Sequence, residues 1–421
     1  MAHDHVVRWF VWSQKPVRDG EGFKQITRVD NWRAHMPWAK DGLIVTTGNC
    51  RYMQELDRWR EMGYRIFSPT AASAALEIDR GTGMAAMKAA GIEVPPYQEF
   101  GSFAEAEAFA RKSDKCWVFK PLGDEEDKSL TFVSCDPAEM VGWLQRQQAG
   151  GKKLKGRCML QEKLDMIGEI SVSGWHGPAG FLPPKQLCFE YKKLMPGDVG
   201  PNTGEMGSVT QYVDNDKLAN EALLPMAGTL KATGHTGDFC ISGGVDAKGK
   251  FWPFEFTARL GWPAFYIQIA SHKGDPVKWM RDLLDGKDSL RVSYDTAVGV
   301  VCAQPLFPYN KSSPDLVEGN PIAGIDDVLD DVHFAAVMRG KGPVMKSGKV
   351  ADAPIYQTSG EYVLICTSLG KTVEAARKKV YRVVDAVKFA NMMYRDDIGA
   401  SLEKRLPALQ KFGYAKGMTY A

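Results

Sequence analysis

The 421-residue sequence lacks most of the features that would assign it a class at once. Its eight cysteines stand singly, at Cys50, Cys116, Cys135, Cys158, Cys188, Cys240, Cys302 and Cys366, with no C-x-x-C pair. In a chain of this length that spacing argues against a disulfide framework and for reduced, buried thiols. The seven histidines are equally scattered and no H-E-x-x-H string occurs, so a zinc site is not expected. No apolar run reaches membrane-spanning length. Met1 to Trp12 carries Asp4, two histidines and Arg8 where a signal peptide needs an apolar stretch, so a soluble, cytoplasmic protein is expected. Charge of one sign is also missing. The 53 basic and 51 acidic side chains leave a net +2, which provides no general field for gripping nucleic acid. Internal repeats and low-complexity tails are absent.

What is there is an ordinary globular composition, 44% apolar and 25% charged, long enough for several lobes. Residues 42–46 and 64–67 read as short buried strands flanking a helix over 53–62. This is a brief α/β unit without a clear glycine-rich phosphate loop. A helix is predicted over 75–90. Ser102-Phe103-Ala104-Glu105 is a capping box opening another helix through 111. Strands follow at 116–120, ending in Lys120, at 157–162, ending in Glu162, and at 169–175. The polar, glycine-rich stretch 192–207 has the length of a functional loop. A helix over 218–233 precedes paired strands at 239–245 and 251–256, turned by Asp246-Ala247-Lys248-Gly249. Strands at 299–303 and 362–366 and an amphipathic helix over 372–389 complete the chain. That helix places Val373, Ala376, Val380, Val383, Val384 and Val387 on one face. The expectation is a multi-lobed α/β and α+β protein. Residues 1–70 would form a short N-terminal unit and 71–295 the central region, with a small lobe at about 115–190. Residues 296–421 would form a β-rich C-terminal domain.

A nucleoside triphosphate requires cations for its phosphates, a polar edge for its base, and carboxylates for metal and ribose. Lys120 ends an apolar strand, where its ammonium can meet a phosphate or simply face water. Gln161 and Glu162 close another strand and can pair with adenine, and Glu169, seven residues later, can accept both ribose hydroxyls. Surface exposure is the usual fate of such glutamates. Glu255 stands between two phenylalanines in Phe251-Trp252-Pro253-Phe254-Glu255-Phe256, where a buried carboxylate needs a compensating cation such as magnesium. Alternation leaves open that Glu255 faces water. Arg259 can pair with Glu255 or clamp a substrate carboxylate.

This succession resembles the ATP-grasp fold, and within it the phosphoribosylamine–glycine ligase (glycinamide ribonucleotide synthetase) family. The most specific string is Gly200-Pro201-Asn202-Thr203-Gly204-Glu205-Met206-Gly207, close to that family's G-P-N-T-G-G-M-G. Phe67-Ser68-Pro69-Thr70 resembles its F-G-P-T. The segment from Val363 to Ala376 resembles its V-L-x-V-T-A-x-G-x-T-x-x-E-A block, and Arg395-Asp396-Asp397-Ile398-Gly399 its closing R-x-D-I-G. The resemblance implies ATP bound between two lobes and activation of a carboxylate, expected to be glycine's, as an acyl phosphate that an amine then displaces. It implies phosphate contacts from Lys120 and Lys128, adenine contacts from Gln161 and Glu162, and a ribose contact from Glu169. Magnesium, or manganese in its place, would sit on Glu255 and Thr257. Lys192, Asp198, Asn202 and Arg259 would shape the acceptor and acyl-phosphate site.

The departures gather on the substrate side more than on the ATP side. No G-N-G-G-R-E-H loop precedes Phe67, and the loop after Lys120, Gly123-Asp124-Glu125-Glu126-Asp127-Lys128, is acidic. Thr257 stands where the family has a metal-binding asparagine. Glu205 replaces a glycine, and Arg259-Leu260-Gly261-Trp262-Pro263-Ala264 replaces R-F-G-D-P-E. Three readings follow: a drifted member with the family's substrates, a re-purposed ligase joining the amino acid to another amine such as a modified nucleotide, and a nucleotide-binding protein without catalysis.

Overall fold

The computed structural model describes residues 5–13, 17–49, 51–122, 130–309 and 311–421. Its centre is a nine-stranded sheet whose successive neighbours pair antiparallel. Across it run Phe251–Thr257, Gly237–Asp246, Met166–Gly177, Lys185–Glu190, Gly207–Val213, Thr296–Ala303, Tyr362–Gly370 and Val332–Phe334, with Gly180–Phe181 paired beside Met166–Gly177. Strands from the central region and the C-terminal part thus share one sheet.

Strand alternation gives this sheet two chemically different faces. One carries Ile170, Val172, Leu187, Phe189, Val209, Phe239, Ile241 and Phe256 into the main core. The helix Val373–Ala386 closes that side, its Val373, Ala376, Val380, Val383 and Val384 all buried. The other face presents Ser171, Cys188, Glu190, Ser242 and Glu255, and it is the one that matters for chemistry.

A second, four-stranded sheet pairs Tyr97–Phe100, Cys158–Glu162, Trp117–Pro121 and Phe132–Val133. It has its own core of Phe103, Phe119, Met140, Trp143 and Leu160 under the helices Phe103–Ala110 and Pro137–Ala149. Ser102 caps the first of these, accepting from the Glu105 amide at 3.2 Å. The N-terminal unit pairs Ile44–Val45 with Ile66–Phe67 in parallel around the helix Met53–Glu61.

Two predicted helices are broken. The expected 75–90 helix is two, Ala71–Ile78 and Arg80–Ala89, because Asp79 leaves helical geometry and caps the second by accepting from the Gly81 amide at 3.0 Å. The break points Arg80 into the cleft between the sheets. The expected 218–233 helix is a π turn, Ala219–Leu223, a 3-10 turn, Leu224–Met226, and only then an α-helix, Ala227–Ala232. Pro225 has no N–H to continue an α ladder there. The stretch 192–207 is not all loop: Lys193–Met195 and Val199–Asn202 form a hairpin across a 3-10 turn.

Candidate active site

Sheet register builds the site. Glu255 lies opposite Ser242, Ser242 opposite Ser171, and Ser171 opposite Cys188. Glu190 is two residues further along the last strand, on the same face. Both serine hydroxyls donate to one Glu190 oxygen, at 2.6 and 3.0 Å. Lys192, two residues after Glu190, bridges the row, its Nζ 3.0 Å from Glu190 and 3.5 Å from Glu255.

From across the cleft come two more cations. The Lys120 ammonium leaves the small sheet, donates to Gln161 Oε1 at 2.8 Å and reaches the Phe254 carbonyl of the large sheet at 3.1 Å. Arg80 donates to the Pro121 carbonyl at 3.0 Å and brings its other terminal nitrogen within 3.6 Å of Glu255. Three cations therefore converge on one carboxylate. Burial would push Glu255 up, but Lys192, Lys120 and Arg80 outweigh it and hold the carboxyl at about 2. Lys120 moves the other way. Its desolvation prevails over the attraction of Glu255, and its ammonium falls to about 8. Lys192, caught chiefly by Glu190, is raised well above the ordinary lysine value.

These groups suit a triphosphate. A cluster with more cation than it can neutralise internally favours an anion. Gln161 Nε2 is buried with no partner among the described residues, a free donor beside the cleft. Magnesium commonly takes one or two protein carboxylates and fills its octahedron with phosphate oxygens and water. Glu255, with Thr257 on the same strand face, fits that pattern. Among the described residues no group of three or more acidic, histidine or cysteine side chains forms a protein-only metal cage.

The other expected residues are placed as follows. Glu169 is exposed on the strand beside the cluster, paired in register with Gly244. Glu162 is engaged by Lys115 at 2.6 Å, and its amide by the Pro96 carbonyl. Arg259 does not pair with Glu255. It donates to Glu77 at 3.1 Å, and Glu77 also receives Asn49 and the Ala258 amide, at 2.7 and 2.8 Å. Asp198 is held by Arg395 at 2.9 Å and Arg405 at 3.4 Å. Arg395, fully buried, also grips Asp397 with two bonds of 2.7 Å and the Lys193 carbonyl at 3.0 Å, so the hairpin is latched to the C-terminal part. Asn202 is exposed, opposite Lys193. Lys128 lies outside the described residues.

Sequence reasoning missed Arg80, Glu190 and Glu77. Glu190 had a signal, a carboxylate ending the buried run Leu187-Cys188-Phe189 two residues before Lys192. Arg80 had none, because only the helix break and lobe docking bring it to Glu255.

The family model for phosphoribosylglycinamide synthetase, C domain, matches residues 297–401. The chain is 30% identical over 356 residues to phosphoribosylamine–glycine ligase of Ralstonia nicotianae, covering 82% of this chain and 80% of that protein. It is 28% identical over 359 residues to the ligase of the same name from Halalkalibacterium halodurans, covering 82% and 78%. The crystal structure of phosphoribosylamine–glycine ligase from Thermotoga maritima superposes with a TM-score of 0.67 at 22% identity, over 88% of this chain and 89% of that one. That likeness shows a shared ATP-grasp fold.

Proposed function

Since the chain belongs to the phosphoribosylamine–glycine ligase family, and is thus an ATP-dependent ligase forming a C–N bond, we propose that it activates glycine with ATP and joins it to an amine. The observation that carries this reading is the convergence of Arg80, Lys120 and Lys192 on Glu255 between the two sheets.

In this reading the phosphates of ATP lie against Lys120, Arg80 and Lys192. Gln161, with Glu162 and neighbouring backbone, takes the adenine, and Glu169 the ribose. Glu255 and Thr257 hold magnesium, which when bound neutralises phosphate charge and orients the phosphoryl group. The glycine carboxylate attacks the γ-phosphorus, the bond to the β–γ bridging oxygen breaks, and ADP departs. Lys192, held firmly cationic, stands where it steadies the transferred phosphoryl group and the new acyl phosphate. A neutral amine then attacks the acyl carbon, the C–O bond to phosphate breaks, and the amine gives up its proton. None of these steps needs a covalent enzyme intermediate. The protein contributes position and charge.

Arg259, set in place by Glu77, and the hairpin with Asp198 and Asn202 border the acceptor side, where Asp198 serves to anchor the hairpin. The acceptor itself is a different amine from phosphoribosylamine, since the departures in sequence fall on this side more than on the ATP side. No described helix is long and apolar enough to cross a membrane, and we place the reaction in the cytoplasm with small-molecule substrates.

The test is phosphate release from ATP and magnesium with glycine and a panel of amines, phosphoribosylamine first, with Glu255→Gln as control. Release requiring glycine and lost in the control supports the ligase. Efficient turnover of phosphoribosylamine would overturn the changed acceptor. ATP binding without release in any well would overturn catalysis.

A further inference from the structure

Glu205, which stands where the resembling string has glycine, is 6% exposed, and its Oε1 has no partner among the described residues. Its chain neighbour Met206 is pinned on both sides. The Met206 amide donates to the Tyr191 carbonyl at 2.8 Å, and its carbonyl accepts from the Val301 amide at 3.0 Å. The backbone beside the carboxyl is therefore held in place. The charges nearest it are Glu190, which pushes it up after burial does, and Lys192, which opposes them. Lys192 is already shared between Glu190 and Glu255. The far side of Glu190 is thus one positive charge short, and a dry carboxyl in that position needs a proton or a cation.

The second altered string arrives at the same place. Trp262 is 38% exposed, and its ring meets Tyr266 edge-on at 5.2 Å and Tyr362 at 6.0 Å. Tyr362 sits within the field of Glu205, which adds to burial in pushing its phenol up, and the Tyr362 hydroxyl is itself buried without a partner among the described residues. The strand register agrees: Val301, whose amide donates to the Met206 carbonyl next to Glu205, stands two residues before Ala303, the register partner of Tyr362, so two departures far apart in sequence both border one tyrosine. An aromatic wall beside an under-compensated carboxyl is the chemistry that recognises an alkylammonium group, by cation–π contact and a charge-assisted hydrogen bond.

We propose that Glu205, with Trp262, Tyr266 and Tyr362, forms an ammonium-recognition subsite that sets substrate choice in this ligase. The proposal rests on the ligase reading above and deepens it. Two sources present such a group: the α-ammonium of the amino acid, and an amino group carried by the acceptor in addition to the one that reacts.

Hydroxylamine traps an acyl phosphate as a hydroxamate without any natural acceptor, so the two sources separate. Hydroxamate formation from ATP with glycine or with acetate is compared in wild type, Glu205→Gln and Trp262→Ala. Amide formation from glycine with butylamine or 1,4-diaminobutane follows in the same proteins. Glu205→Gln keeps size and hydrogen bonding while removing the charge, and melting curves establish that each variant folds. If the α-ammonium is the ligand, kcat/KM for glycine falls at least about tenfold in Glu205→Gln while acetate stays within about twofold. If the acceptor supplies it, glycine hydroxamate is unchanged and only the preference for 1,4-diaminobutane over butylamine collapses, through KM. Changes under about twofold in every arm overturn the subsite and leave the ligase standing. No hydroxamate from wild type overturns the ligase. Calorimetric titration of glycine and 1,4-diaminobutane into the ATP-loaded protein then decides the subsite. Binding weakened by Glu205→Gln sustains it, and binding equal in both proteins, or absent from both, overturns it.

Discussion

The two sides of the Lys192 ammonium make an instructive contrast. Toward Glu255, charge is over-compensated: Arg80, Lys120 and Lys192 surround one carboxylate and hold it ionised. Toward Glu205, charge is under-compensated: burial and Glu190 keep that carboxyl well above its ordinary range, and one oxygen lacks a partner. In the readings proposed above, the first side receives an anion and the second a cation. A family member that changes its acceptor while keeping its phosphoryl donor would show this asymmetry, since only one side of the shared lysine is free to vary.

The largest expected effect probes the anion side. Glu255→Gln should lower the rate of phosphate release by about a thousandfold, as loss of a transition-state electrostatic group does. ATP affinity measured by calorimetry should persist, because the three cations remain. Wild-type-like turnover would move the reaction away from this carboxylate.

Next comes the latch beneath the second side. Arg395→Met removes a fully buried guanidinium from Asp397, Asp198 and the Lys193 carbonyl. Both carboxylates still reach water, so denaturant unfolding should show a loss of about 2–3 kcal/mol rather than the full cost of stranding a buried charge. The KM for the amine should rise while that for ATP holds. An equal rise in both would erase the contrast.

Lys120 sharpens it through pH. With its ammonium at about 8, the free protein loses a phosphate-binding charge above that pH. The kcat/KM for ATP should then fall about tenfold per pH unit, and Lys120→Arg should remove the inflection. Stability runs the other way. Between about 8 and 10.5 the unfolded chain binds the extra proton, so the folded state gains as pH rises through that window. The smallest effect is the control. Lys115→Ala breaks only the exposed end of the Glu162 pair and should change stability by no more than about 0.5 kcal/mol.

Much of the site was legible beforehand, for definite reasons. Lys120, Gln161 and Glu255 each sit at a strand end or between aromatics, where a polar group has few cheap explanations. Their roles were assigned one by one, and their meeting was inferred from the resemblance. Glu162 and Asp198 also carry charge in promising places, yet Lys115, Arg395 and Arg405 engage them. Nothing local distinguishes a carboxylate waiting for a ligand from one already paired.

By itself the sequence determined the strand alternation, the capping signal at Ser102, and the order of the chemistry-bearing residues along the chain. These depend on neighbours a few residues away, whose geometry the backbone dictates. Only the tertiary structure decided that Lys120 reaches the carbonyl of Phe254, 134 residues later, and that Arg80 turns toward Glu255. It also decided that Arg259 answers to Glu77 and that Trp262 packs edge-on against Tyr362. Such pairings depend on sheet register and on how the small sheet docks against the large one, which are set by burial summed over the whole chain.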